Sequence, residues 1–143
     1  MTKLQKSELT DAIICCFYNV YNRLGAGFLE KVYENALLIE LRKIGLTAVA
    51  QYPISVYYDG IAVGEYFADI VVEGKIILEI KVANCLTSAH EAQLVNYLKA
   101  TGFEIGLLLN FGPEPQVKRK VHTKVLEVQG QKQWNADAAE KAG

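Results

Sequence analysis

Asp69 is separated by nine residues from Glu79-Ile80-Lys81, and all three charged side chains lie in otherwise apolar stretches. The run Ile76 to Val82 has the composition of a buried strand, yet it carries opposite charges at positions i and i+2. Side chains alternate faces along a strand, so Glu79 and Lys81 point one way while Leu78, Ile80 and Val82 point the other. Charges in an apolar setting are costly unless they are paired or bind a metal. Two carboxylates and a lysine on neighbouring strands are what a hard divalent cation and a scissile phosphate require. Asp69 and Glu79 supply oxygen ligands of the kind that suit Mg²⁺ or Mn²⁺, which keep several waters beside one or two carboxylates. Such an ion activates water and neutralises charge on a phosphate, with Lys81 placed to orient or deprotonate the attacking water.

The elements that must position these groups follow from periodicity. Ile13, Phe17, Val20, Tyr21 and Leu24 recur at helical spacing, Gly25-Ala26-Gly27 interrupts them, and a further helical stretch runs from near Phe28 to Gly45. Its expected inward positions are Leu29, Val32, Ala36, Leu37, Leu41 and Ile44. One kinked helix and two separate helices both fit the pattern. Ala48–Tyr58 and Ile61–Val72 read as strands around an Asp59-Gly60 turn, and Lys75–Ala83 as a third. Thr87 or Ser88 caps a helix ending at Gly102. Glu104–Phe111 reads as a buried strand and Gln116–Val128 as a last one, with 129–143 a flexible tail in which Trp134 could dock. The expected architecture is an α/β mixed sheet flanked by helices, in a single domain over 1–128.

Loop geometry sets a condition. A two-residue Glu73-Gly74 turn would pair Asp69 with Leu78, on the face away from Glu79. A three-residue Val72-Glu73-Gly74 loop would pair Val71 with Lys75 and put Asp69 opposite Ile77, on the face of Glu79.

Element order and the Asp69…Glu79-x-Lys81 pattern resemble the PD-(D/E)XK nuclease superfamily, with its restriction-endonuclease-like core. Gly27-Phe28-Leu29-Glu30-Lys31-Val32-Tyr33 is similar to the signature of the bacterial GxxExxY proteins placed there, and Gln93-Leu94-Val95-Asn96-Tyr97 to the Gln-x-x-x-Tyr motif of RecB-type nucleases. The resemblance covers about Leu9 to Asn110. It implies a metal site of Glu30, Asp69, Glu79 and the Ile80 carbonyl, with Glu30 ligating directly or through water. It further implies catalytic support from Lys81, Gln93 and Tyr97. Gln93 and Tyr97, at i and i+4, share a helix face. His90, one turn earlier, is a phosphate-contact candidate.

Net charge is −1, with nine Lys/Arg against twelve Asp/Glu through Asn110 and six against four beyond it. Lys118, Arg119, Lys120 and Lys124 with His122 form a basic cluster that is either a nucleic-acid contact or a lysine-protected edge strand. Three cysteines are too few for a four-cysteine iron–sulfur site, and adjacent Cys15 and Cys16 are expected as core thiols in a reducing cytoplasm. No apolar run approaches membrane-spanning length.

The leading expectation is therefore a Mg²⁺- or Mn²⁺-dependent nuclease acting on nucleic acid, DNA first, as a homodimer or with a partner protein. The alternative is a catalytically weak nucleic-acid-binding or regulatory module that keeps the nuclease fold. A third reading is a stable α/β protein whose charged strand is an interface, with Glu79 and Lys81 in a cross-strand salt bridge at a sheet edge.

Overall fold

The computed structural model describes residues 5–123; Lys124, Trp134 and the tail expected over 129–143 lie outside them. Two helices come first, α1 (Lys6–Leu24) and α2 (Glu30–Lys43). Strands β1 (Ala48–Tyr58), β2 (Ile61–Val72) and β3 (Ile76–Lys81) follow, then α3 (Ser88–Thr101), β4 (Ile105–Asn110) and β5 (Gln116–Val121). The five strands form one sheet in sequence order. All neighbours are antiparallel except β3 and β4, which are parallel because α3 crosses between them. This is a mixed sheet flanked by helices: the residue pattern implied the α/β sheet with helices packed on it, and the resemblance its mixed character.

The stretch around Gly25-Ala26-Gly27 is a break between two helices, not a kink. Gly25 and Gly27 take φ of 70° and 115°, a region that L side chains rarely adopt. Tyr33 then fixes the break. Its ring is fully buried and stacks on Phe111, with centroids 4.4 Å apart. Its hydroxyl donates to the Gly25 carbonyl (2.6 Å) and accepts the Phe28 N–H (3.1 Å). The tyrosine of the Gly-x-x-Glu-x-x-Tyr run thus holds the loop that starts α2 and carries Glu30.

Two cores lie on opposite faces of the sheet. One packs α1 and α2 against Ile70, Val72, Ile76, Leu78, Ile80, Leu107 and Leu109. The other packs α3 residues Leu94, Tyr97 and Leu98 against Ile54, Ala68, Val71, Ile77 and Leu108. Gly106 admits α3 closely, since a Cβ there would lie 2.6 Å from Leu94.

Several expectations need correcting. Leu29, Val32 and Ile44 are exposed, Leu29 by 82%, because the buried stripe of α2 runs through Tyr33, Glu34, Leu37, Leu38 and Leu41. Cys16 is buried but Cys15 is exposed, as successive helical residues point about 100° apart and only one can face the core. The third strand is shorter at both ends than expected. The last strand ends at Val121, before His122 and Thr123, and the rest of the stretch expected to Val128 lies outside the described residues.

Candidate active site

The turn between β2 and β3 decides whether the charged side chains meet. Glu73 and Gly74 take φ of 55° and 61°, and the Lys75 N–H donates to the Val72 carbonyl (2.9 Å). Positive φ at both central residues marks a type I′ turn. Lys75 is then one extra residue before pairing resumes at Val72↔Ile76. The loop is therefore Glu73-Gly74-Lys75, one position later than the three-residue loop expected. The parity condition still holds, with a shifted register: pairs Val72↔Ile76, Val71↔Ile77 and Ile70↔Leu78 carry Asp69 to a position opposite Glu79 itself, not Ile77.

At that position the ladder stops and the carboxylates take its place. The Asp69 N–H donates to Glu79 Oε2 (2.9 Å), and the Ile80 N–H donates to Asp69 Oδ2 (2.7 Å). Each carboxylate thus bonds the backbone of the other strand. Among the described residues, the second oxygen of each takes no protein hydrogen bond, and neither is sealed from solvent. The N–H and C=O of a strand residue project from the same edge, so the Ile80 carbonyl borders the same gap.

A change of face along β1 and β2 opens this gap. Ala48 and Ala50 pack on the α1/α2 side, whereas Tyr52 and Ile54, of the same parity, pack on the α3 side. In β2, Ile70 and Val72 lie on the first side and Ala68 on the second. Between them the β1–β2 register skips Gln51 and Asp69, and Gln51 has φ 52°. A left-handed non-glycine residue in a strand rotates the chain, so β1 and β2 turn away from β3 where Asp69 stands.

Burial sets the electrostatics. Glu79 is 4% exposed, and its carboxyl is pushed up to about 8, mainly by burial and then by the Asp69 charge. Burial also raises Asp69, opposed by the Ile80 N–H and reinforced by Glu34 and Glu30. Among the described residues neither carboxylate lies in a salt bridge. Lys81 Nζ instead reaches Gln93 Oε1 on α3 (3.4 Å). β3 is the central strand of five, so an ion pair on a sheet edge does not describe Glu79 and Lys81.

The remaining sequence-derived residues fall around this pair. Gln93 and Tyr97 face it from α3. The Tyr97 hydroxyl is shifted upward by burial first, then by Glu79, Asp69 and Tyr66. Glu30 opens α2 on the surface, near enough for its charge to bear on both carboxylates. It does not join them in a cluster: among the described residues no three His, Cys, Asp or Glu side chains are grouped to hold a metal. His90 closes the first turn of α3, its Nδ1 accepting the Thr87 N–H while Thr87 Oγ1 accepts the His90 N–H (both 3.2 Å). Lys118 and Lys120 turn to Glu91 on α3, at 3.9 and 2.5 Å, and Arg119 alternates to the other face of β5.

Two residues escaped the sequence reading. Glu34 is buried, one helical turn after Glu30, with its carboxylate held by Gln51 Nε2 (3.3 and 3.2 Å) and Lys31 Nζ (3.1 Å). Its charge bears on Asp69 more than that of Glu30 does. The i, i+4 spacing of Glu30 and Glu34, beside the core stripe through Tyr33 and Leu37, was the available signal. Gln51 gave none, because its role depends on an unusual φ.

A family model described as the PD-(D/E)XK nuclease superfamily matches residues 7–122. The chain belongs to this superfamily. Its α/β core is therefore restriction-endonuclease-like, and proteins of this superfamily generally use divalent metal ions on nucleic acid. Among solved structures, SSO0001 is similar at 20% identity and a TM-score of 0.49, over 82% of this chain and 60% of that one. Hjc, a Holliday junction resolvase from the archaeal hyperthermophile Archaeoglobus fulgidus, is similar at 20% identity and a TM-score of 0.40, over 79% of this chain and 99% of that one. This chain spans about 60% of the length of SSO0001. No curated protein matches. No helix among the described residues is long and apolar enough to cross a membrane.

Proposed function

We propose that this PD-(D/E)XK protein is a metal-dependent nuclease of the GxxExxY group that hydrolyses phosphodiester bonds, in DNA first, in the cytoplasm. One observation carries the reading: a buried carboxylate, Glu79, and a half-buried one, Asp69, stand side by side on adjacent strands without a cation partner among the described residues. Such a pair is costly for folding alone, and a bound divalent ion offsets the cost.

The donor set fits Mg²⁺ or Mn²⁺. Asp69 Oδ1, Glu79 Oε1 and the Ile80 carbonyl are hard oxygens, and two carboxylates suffice for an ion that retains waters. When bound, the ion supplies activation of water and neutralisation of phosphate charge. The hydrogen bonds from the Asp69 and Ile80 N–H groups fix both carboxylates before any ligand arrives. Lys81, steadied by Gln93, orients the attacking water or takes its proton. Tyr97 braces Glu79 from the α3 side, and Glu30 acts through water from the mouth of the site. A homodimer or a partner protein would enlarge the surface available to grip a duplex.

Calorimetric titration of Mg²⁺ and Mn²⁺ into wild type, Asp69→Ala and Glu79→Ala, followed by cleavage assays with Mn²⁺ on plasmid, single-stranded DNA and RNA, tests this. Wild type should bind and cut, and each variant should lose more than about 100-fold in metal affinity or rate. Absence of metal binding by wild type refutes the reading. Metal binding without cleavage of any substrate would identify the catalytically weak binding module instead.

A further inference from the structure

The β2 wall beside the carboxylates carries aromatic rings and no cation. From Ile44 to Gly74 the chain has Asp59, Glu65, Asp69 and Glu73 and no Lys or Arg. Tyr66, three residues before Asp69, is 48% exposed and lies on the α3 side, its ring centroid 5.8 Å from that of Tyr97 at 43°. Tyr97 is the residue whose hydroxyl senses both carboxylates. Gly64 keeps the Tyr66 ring in place from below. A Cβ at Gly64 would sit 3.1 Å from that ring, and the residue lacks the positive φ that would otherwise call for glycine. An open aromatic surface, seated over one glycine and against a second ring, therefore adjoins the carboxylate pair. Beside Lys81 in the site itself, the basic cluster that could track phosphates is elsewhere: Lys118 and Lys120 are on β5, across the sheet, and pair with Glu91.

Duplex recognition rests on neutralising two phosphate tracks, and duplex bases have both faces already stacked. An unpaired base offers a free face, and aromatic stacking holds single strands with little dependence on sequence. We propose that the substrate is an unpaired stretch of nucleic acid, one base of which stacks on Tyr66 and so sets an adjoining phosphodiester before Asp69 and Glu79. This rests on the nuclease reading above and names the substrate class of the same site.

Fluorescence anisotropy tests it, using a labelled short oligonucleotide as a single strand and as the same-sequence duplex, with Ca²⁺ present, for wild type, Tyr66→Phe and Tyr66→Ala. The single strand should bind at least about tenfold more tightly than the duplex. Tyr66→Ala should lose about tenfold on the single strand, as one stack removed, while Tyr66→Phe stays within about twofold. The salt dependence of single-strand binding should correspond to fewer than about three phosphate contacts. Circular dichroism checks that both variants fold, as expected for a half-exposed ring. Equal or tighter duplex binding, or wild-type affinity in Tyr66→Ala, overturns the inference. Cleavage of duplex alone with Mn²⁺ would overturn it too, while leaving the nuclease reading intact. If wild type neither binds nor cuts either form, both fall.

Discussion

A carboxyl group buried beside another carboxylate holds its proton well into the neutral range, and stability must then depend on pH. The Glu79 carboxyl is pushed from an ordinary 4.5 to about 8, chiefly by burial. Between those values the metal-free folded chain keeps a proton that the unfolded chain has released. The folded state therefore binds more protons there, and unfolding free energy falls as pH rises. The loss begins near the unfolded value and is complete above about 8. It amounts to a few kcal/mol at most, on the order set by about 1.4 kcal/mol per pH unit. Thermal melts without divalent ions should show Tm falling from about pH 5 to 8, and Glu79→Gln should flatten that slope and raise Tm at pH 8. Stability that rises across this range would contradict the burial argument. The shared face of Glu79 and Lys81 was legible in sequence because alternation fixes it once the strand is recognised, whereas the face of Asp69 hung on the turn before β3. Glu34 was not, since a helical glutamate looks solvated until Gln51 and Lys31 are seen to hold it.

Elements built on local signals could be read closely. β1, β2 and α3 coincide with expectation because an Asp59-Gly60 turn, a Thr87 cap and a left-handed Gly102 each act within a few residues. The separation of α1 from α2 was undecidable because it depends on Tyr33 bonding back to Gly25, and the register at Asp69 because it depends on where Lys75 rejoins the ladder. The exit from β3 is another non-local feature. Buried Asn110 accepts the Ala83 N–H and donates to the Ala83 carbonyl, both at 2.9 Å, and so ties the chain after Lys81 to the end of β4. Gly112 allows this approach, for a Cβ there would lie 1.9 Å from the Ala83 carbonyl oxygen. Gly112→Ala should therefore cost about 2 kcal/mol or more, measured by urea unfolding, and should weaken metal binding through a displaced β3 end. A change within about 0.5 kcal/mol would show the contact to be slack.

For the whole molecule the question is which charges meet a ligand. The −3 through Asn110 and +2 beyond it pointed to a basic C-terminal cluster, but its tertiary partner, Glu91, lies 27 and 29 residues earlier in the chain. No local pattern announces that pairing. Exposed ion pairs of this kind contribute little to stability. Under the single-strand proposal the strand is held at Tyr66 on β2, away from β5 across the sheet. The double variant Lys118→Gln/Lys120→Gln should change single-strand affinity by less than about threefold and leave the salt slope nearly unchanged. A slope reduced by about one or more would return β5 to the interface. The residue pattern implied an α/β sheet with helices packed on it but left the strand order open; every connection but one proves to be a short antiparallel return.

That single exception governs the order in which the molecule assembles. Asp69 and Glu79 are ten residues apart and meet in a hairpin, whereas β3 reaches β4 only after α3 has folded and crossed. Hairpins close in microseconds, and long-range parallel pairing is slower. The two carboxylates would thus come together while still hydrated, and lose their water only when α3 docks. The electrostatic penalty then falls late on the pathway. In a chevron experiment, raising pH without divalent ions should speed unfolding while refolding rates barely change, and a bound divalent ion would then act as a brake on opening and not as an accelerator of folding.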